Sequence, residues 1–291
     1  MTDDRVLFEV DAERRIATIT FNNPKQRNSY DAAMRDEIAR HLDTVAADDD
    51  ITVVLLRGAE GVFSTGADMN NAYGWYGQKE GEADAAPKKS RPSQRRRLTV
   101  DRKSFDFYHN FLGFPKVTVG EISGYALGGG FEMALMTDIS VIARNTKIGM
   151  PATRFLGPAL GSLHMFFHRL GPVLARRLLL TGDIIEAGEL EPHGVFTEFT
   201  DAGSVPARAH FWARKASRMP ADGIVLAKEA FRLVEQLQAY QGEQVLSPMF
   251  HAYGTNLQFD EGEFNFVKER AEHGTKKAFE LRDEHFEIPE P

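Results

Sequence analysis

The sequence predicts an α/β fold with a mostly parallel sheet, and three stretches carry that prediction. Apolar residues alternate in "RIATITF" (15–21) and run together in "TVVLLRG" (52–58), the patterns of a half-buried and a more buried strand. Between them "SYDAAMRDEIARHLDTVAADDD" has helical spacing, with Ser29 or Asp31 placed to cap it. The succession then repeats: "KVTVGEISG" reads as a strand, "EMALMTDI" as a helix entered through glycines, and "ISVIARNT" as a further strand. Strand, helix, strand in repetition implies crossover connections and parallel pairing.

After Gly171 the pattern turns helical. "PVLARRLLLTG", "VPARAHFWARKASRM", "DGIVLAKEAFRLVEQLQAY" and "FNFVKERAEHGTKKAFELRDEHF" all repeat at helical spacing, so the last third is expected to be a lid, an oligomer interface, or both. Residues 1–200 are read as the core that carries the site and 201–291 as a helical region continuous with it. Residues 78–103 are polar, contain two prolines and cluster Arg and Lys. They read as a mobile surface loop, with a basic flap for an anionic ligand, or an RNA contact through Arg95, Arg96 and Arg97, as the alternatives.

Composition bounds the function. A hydrophobic share of 42% over 291 residues supports a sizeable core. No run approaches the roughly 18 apolar residues of a membrane span, and "MTDDRVLFEV" lacks the layout of a secretion signal. The absence of cysteine removes disulfides, thiolate nucleophiles and cysteine metal sites, and makes a cytoplasmic location the expectation. A net charge of −7 argues against nucleic acid as the general partner.

Two glycine turns carry the chemistry. In "LGGGFE" (127–132) residues without a Cβ let backbone N–H groups approach a ligand at a helix start, a geometry suited to an oxyanion. "FSTGADM" (63–69) offers a second such turn after a buried strand. Two turns at the ends of parallel strands can aim one N–H each at one oxygen, and Glu132 beside them is placed to act as acid or base. His164 and His168 have the i, i+4 spacing of metal ligands, yet no acid lies between them and no third ligand stands out, so packing or polar contacts are expected and no metal is. The chain has no G-x-S-x-G and no P-loop, which argues against serine hydrolases and NTPases.

Taken in order, "NNPKQRNSYDAAM", "FSTGADM", "ISGYALGGGFEMALMTDISVIA", "IGMPATRFLGPALG", "LLLTGDIIEAGE" and "HGTKKAFELRDEHF" resemble the enoyl-CoA hydratase/isomerase, or crotonase, superfamily over nearly the whole chain. The resemblance implies a core of repeated ββα units, a helical C-terminal region, assembly as trimers or hexamers, and acyl-CoA as substrate with no other tightly bound cofactor. By matching position it makes the N–H groups of Ala67 and Gly129 the oxyanion donors for a thioester enolate, and Glu132 the acid/base residue. It places Lys25, Gln26 and Arg27 against the CoA nucleotide, with Lys277 and Arg282 near its phosphates. Asp68, Met69, Tyr73, Gly128, Ala152 and Arg154 then line the substrate site, and the aromatics of "NNAYGWYG" suggest a bulky or cyclic acyl group.

One position departs from the pattern. Hydratases of the superfamily carry a second glutamate in a G-x-P-E context, and here that position is Ala152. No Asp or Glu occurs between Asp138 and Asp183, so no shift of register restores it. Chemistry that needs the two donors and one acid remains open: double-bond isomerisation, decarboxylation, C–C hydrolysis, or acyl-CoA binding without turnover. A substitute donor is sought among Arg154, Tyr73, Tyr76, Tyr125 and His164, and Arg154 is equally suited to an extra carboxylate on the acyl group.

Overall fold

The computed structural model describes residues 4–69, 93–156, 163–237, 239–254 and 257–288. β1 (Val6–Asp11) pairs antiparallel with β2 (Ile16–Phe21). From β2 onward the sheet is parallel, through β3 (Val53–Gly58), β4 (Val117–Ile122), β6 (Ile139–Ala143) and β9 (Glu198–Thr200). A smaller sheet pairs β5 (Tyr125–Leu127), β7 (Lys147–Gly149) and β8 (Ile184–Glu186) in that order.

The continuous apolar run of β3 follows from burial on both faces. Val54 and Leu56 face a core shared with α1 (Ala32–Ala47), α2 (Gln94–Leu112), α3 (Gly129–Met136) and α4 (Leu163–Thr181). Val53 and Leu55 face the opposite layer, where α5 (Val205–Ala216) lays Val205, Ala209 and Ala213 on the sheet. Asp31 caps α1, its carboxylate accepting from Met34 N at 3.0 Å, which settles the choice between Ser29 and Asp31. The units β1–β2–α1 and β4–β5–α3 give the repeated ββα core, and after β9 the described elements are helices, chiefly α5, α6 (Ala221–Leu237), α7 (Tyr240–Gly254) and α8 (Phe266–Phe286).

Three features differ from the sequence reading. The basic segment is helical from Gln94 onward, with Ser93 capping α2, because Arg97, Asp101, Phe105 and Tyr108 bury one face of it. Residues 78–92 of that segment lie outside the described residues. α4 is already helical from Leu163, and Gly171, at φ 69° and ψ 167°, breaks it into two stretches, of which the one from Pro172 is the helix the sequence predicts. α7, which the sequence reading left out, packs along α2; its His251 Nδ1 lies 3.1 Å from Asp101 Oδ1.

α6 is tied to the sheet by a buried cation. Lys228 Nζ donates to both oxygens of Asp138, at 2.6 and 2.7 Å, while Asp138 also accepts from Thr118 N at 2.8 Å.

Candidate active site

The first glycine turn follows β3 and the second follows β5, which continues the chain from β4, the parallel neighbour of β3, so both lie beyond the carboxyl ends of adjacent parallel strands, where open α/β sheets place their ligands. Ser64 joins the turns: its N–H donates to Tyr125 O at 2.9 Å, and Leu127 N donates to its carbonyl at 3.0 Å. The first turn therefore adds a bridge to β5, the strand that runs into Gly128.

Beyond Ser64 the chain crosses to Tyr30. Tyr30 N donates to Gly66 O at 2.9 Å and Asp68 N donates to Tyr30 O at 2.8 Å, so this bridge is made by the groups flanking Ala67. The bridge therefore uses Gly66 O and Asp68 N and leaves the N–H of exposed Ala67 outside it. Gly129 is the first residue of α3, where an N–H has no acceptor within the helix. Among the described backbone hydrogen bonds none is donated by Ala67 N or Gly129 N.

The turns touch. A Cβ added to Gly66, whose φ is +83°, would stand 2.7 Å from both Gly129 N and Leu127 O. Gly128 has φ 55° and ψ −126°, a conformation open to glycine, and its carbonyl accepts from Phe131 N and Glu132 N to start the helix. Glu132 follows one turn later and is 6% exposed. Gly128 N donates to Gly149 O at 3.0 Å, and Leu127 pairs with Gly149, so the loop carrying Ala152 begins beside the glycines.

Beside Gly129 stand two groups that the sequence reading missed. Tyr30 and Tyr108, from the start of α1 and from α2, hydrogen-bond to one another through their hydroxyls. A Cβ on Gly129 would overlap both hydroxyls. Burial pushes each phenol well above the usual tyrosine range, and the charge of Glu132 adds to the rise in both. In the sequence Tyr30 follows the "NNPKQRNS" turn and Tyr108 lies in the aromatic run "FDFYHNF", where neither is distinguishable from a packing residue.

The other expected site residues fall into groups. Lys25, Gln26 and Arg27 form an exposed turn bound to the first glycine turn, since Thr65 N donates to Arg27 O at 3.1 Å. The Arg27 guanidinium lies over the Tyr125 ring at 4.8 Å. Met69 O accepts from Arg270 Nη1 at 2.6 Å, which brings α8 to the same turn. Ala152 is partly buried against the main core. Arg154 is held by the chain itself: its Nε donates to Thr181 O at 3.0 Å, Asp183 and Asp283 lie at 3.7 and 3.5 Å, and its guanidinium covers the Phe286 ring. Arg282 is buried and bonded to Asp283, and exposed Lys277 pairs with Glu280 at 3.2 Å on the same helix. Tyr73 and Tyr76 lie outside the described residues.

His164 has acidic partners. Its ring contacts Glu243 through Nδ1 and lies 3.5 Å from Glu235 through Nε2, and its backbone N donates to Glu243 at 2.8 Å. Burial opposes charge on this imidazole, but the two carboxylates outweigh it and raise its pKa to about 9. His109 Nε2 lies 3.8 Å from the same Glu243. His164 and Glu243 line a groove of about 610 Å³ between α4 and α7, together with Leu163, Phe167, His168 and Leu246. For a metal, the described residues bring together Glu269, Glu272 and His273 on the outer face of α8, a partly solvated group apart from the glycine turns.

The sequence profile of the enoyl-CoA hydratase/isomerase family matches residues 11–276. A protein of Mycobacterium tuberculosis described as a probable enoyl-CoA hydratase is 27% identical over 277 residues, covering 93% of this chain and 98% of that one. The 1,2-epoxyphenylacetyl-CoA isomerase of Escherichia coli is 26% identical over 91% of this chain and 97% of its own length. Among solved structures, an enoyl-CoA hydratase from Mycobacterium smegmatis superposes with a TM-score of 0.81 at 29% identity, over 97% of this chain and 94% of that one. The profile, these relatives and the ββα layout agree that the chain belongs to the enoyl-CoA hydratase/isomerase family.

Proposed function

We propose that this protein converts an acyl-CoA thioester through its enolate and, with a single carboxylate at the reacting centre, shifts a carbon–carbon double bond rather than adding water across it. The observation that carries this reading is the placement of buried Glu132 one turn after the Gly129 N–H, with alanine at position 152. In this reading Glu132 removes a proton from the carbon beside the thioester carbonyl. The charge that collects on the carbonyl oxygen is held by the N–H groups of Ala67 and Gly129, each donor worth on the order of 10²- to 10³-fold in rate. Hydration asks one group to activate water and another to manage the proton, and pairs of carboxylates divide such tasks. Double-bond migration asks only that a proton leave one carbon and another arrive two carbons away.

The remaining assignments belong to the same reading. Lys25, Gln26 and Arg27 meet the CoA nucleotide, and their exposure beside the donor turn supports this. Lys277 and Arg282 stand near the phosphates, and Asp68, Met69, Tyr73, Gly128, Ala152 and Arg154 complete the substrate site. CoA enters as part of the substrate, with no other cofactor. A homotrimer or hexamer in the cytoplasm is the expected form, supported by exposed Leu226, Phe231, Leu237 and Val245 on α6 and α7. None of the described helices is long and apolar enough to cross a membrane.

The test is a panel of 3-enoyl-, 2-enoyl-, β-keto- and malonyl-type CoA esters incubated with the protein. Chromatography and NMR should find 2-enoyl product from 3-enoyl ester, and mass spectrometry should find no water adduct. Loss of CO₂, hydrolysis, or binding without turnover would each replace the proposed reaction. Glu132→Ala should abolish turnover while CoA-ester binding survives; undiminished turnover in that variant rejects its role.

A further inference from the structure

Tyr30 and Tyr108 arrive at Gly129 from different elements. Tyr30 is fixed because its own backbone brackets Ala67, and Tyr108 is fixed by the packing of α2 against α3. Both side chains are buried, at 2% and 8% exposure, and each hydroxyl has the other as its partner. A buried tyrosine ordinarily passes its hydroxyl proton to a fixed backbone acceptor or a neighbouring polar side chain. A pair of phenols bonded to one another retains a proton that an incoming acceptor can take. Burial favours the neutral phenol, so the pair acts as donor and not as base.

We propose that Tyr30 and Tyr108 are catalytic residues that deliver the second proton of the reaction, in place of the carboxylate absent from position 152. The proposal rests on the isomerase reading above. Glu132 breaks the C–H bond beside the carbonyl, and the electron pair moves into the dienolate held by the backbone donors. A phenol O–H then breaks as its proton bonds to the distal carbon, the electron pair of the dienolate forming that C–H bond. The phenolate is restored by the proton that Glu132 gained, passed through the paired hydroxyl, so no atom or electron is left over. Glu132 lies one helical turn after Gly129, at which both hydroxyls meet, and its charge acts on each of them.

The experiment follows a short 3-enoyl-CoA ester in D₂O by NMR, reading deuterium exchange at the carbon beside the carbonyl separately from formation of the 2-enoyl ester. Tyr30→Phe and Tyr108→Phe keep the rings. Each should lower product formation by about a hundredfold while exchange, which needs only Glu132 and the backbone donors, stays within about threefold. Unchanged product formation in both variants overturns the assignment, and so does a parallel fall in exchange and product, which would mean that the hydroxyls only support the site. A measurement on the wild-type protein holds if the variants fail to fold. In a single turnover with enzyme in excess, solvent deuterium should appear at the distal carbon, whereas carry-over of the substrate's own proton would show Glu132 returning it and overturn the proposal. Wild-type protein that gives neither exchange nor product overturns the isomerase reading itself, and the tyrosine assignment falls with it.

Discussion

Replacing Gly66 by alanine tests whether the two turns work as one site. The new Cβ would stand 2.7 Å from Gly129 N and Leu127 O, both backbone atoms that cannot rotate aside. Ordinary Cβ contacts begin near 3.4 Å, so the turns must part by about 0.7 Å, in an interior packed too densely to absorb it elsewhere. That movement separates the Ala67 and Gly129 N–H groups, and a misplacement approaching 1 Å costs roughly 10²-fold in rate. A left-handed φ for a residue with a side chain adds about 1–2 kcal/mol of destabilisation. Gly194→Ala is the control, because its φ of 63° is also positive but its Cβ would meet nothing within 4 Å. The assay is kcat on the ester that the panel identifies, with thermal unfolding alongside. Gly66→Ala should lose roughly 10²-fold in kcat while Gly194→Ala, though destabilised, loses far less. Equal kcat for the two, or a folded Gly66→Ala protein within about threefold of wild type, would refute the argument that contact between the turns sets the donors.

His164 should make stability depend on pH. Its folded pKa of about 9 lies above the ordinary imidazole value, so its contribution is complete below about pH 6.5 and is lost as pH rises through 9; the difference is worth about 3 kcal/mol at most. Denaturant unfolding of wild type and His164→Gln should therefore differ most at pH 6 and converge near pH 10. Lys228→Met should destabilise by about 2–3 kcal/mol, less than the full loss of a buried partner, because Asp138 keeps its bonds to Thr118. The measurement is the urea midpoint, and a shift equal to that of a surface Lys→Met change would remove Lys228 as the tie between α6 and the sheet.

Local chemistry made the strands, α1 and the two glycine turns legible. Alternation at 15–21, the apolar run at 52–58 and the Asp31 cap are each written in a few neighbouring residues. α2 was hidden because its buried face alternates with Arg95, Arg96, Arg102 and Lys103, whose charge reads as loop when its packing partner is out of view. That partner is α7, whose His251 meets Asp101 across a separation in sequence that no local pattern records. The site divides in the same way. Glu132 and the glycines follow from helix starts and missing Cβ atoms, whereas Tyr30 and Tyr108 gain meaning only when α1 and α2 bring their hydroxyls to Gly129.

The backbone half of the site does not depend on residue 152. Ser64 ties the first turn to β5, Tyr30 brackets Ala67, and Gly149 O holds Gly128, all through main-chain atoms that any side chain at 152 leaves in place. An acid at that position would therefore change which proton transfers are possible without changing how the enolate is held. Arg154, two residues on, does not compensate, because Thr181 O, Asp183, Asp283 and the Phe286 ring engage it in fastening α8 to the core. Burial and nearby Arg282 weaken the hold on its proton, though these acids partly restore it. A guanidinium fixed in this way orients structure and moves no proton at neutral pH. Glu132 and the two phenols stand near Gly129 and each carries a transferable proton, so the identity of the reaction turns on what those three can do together.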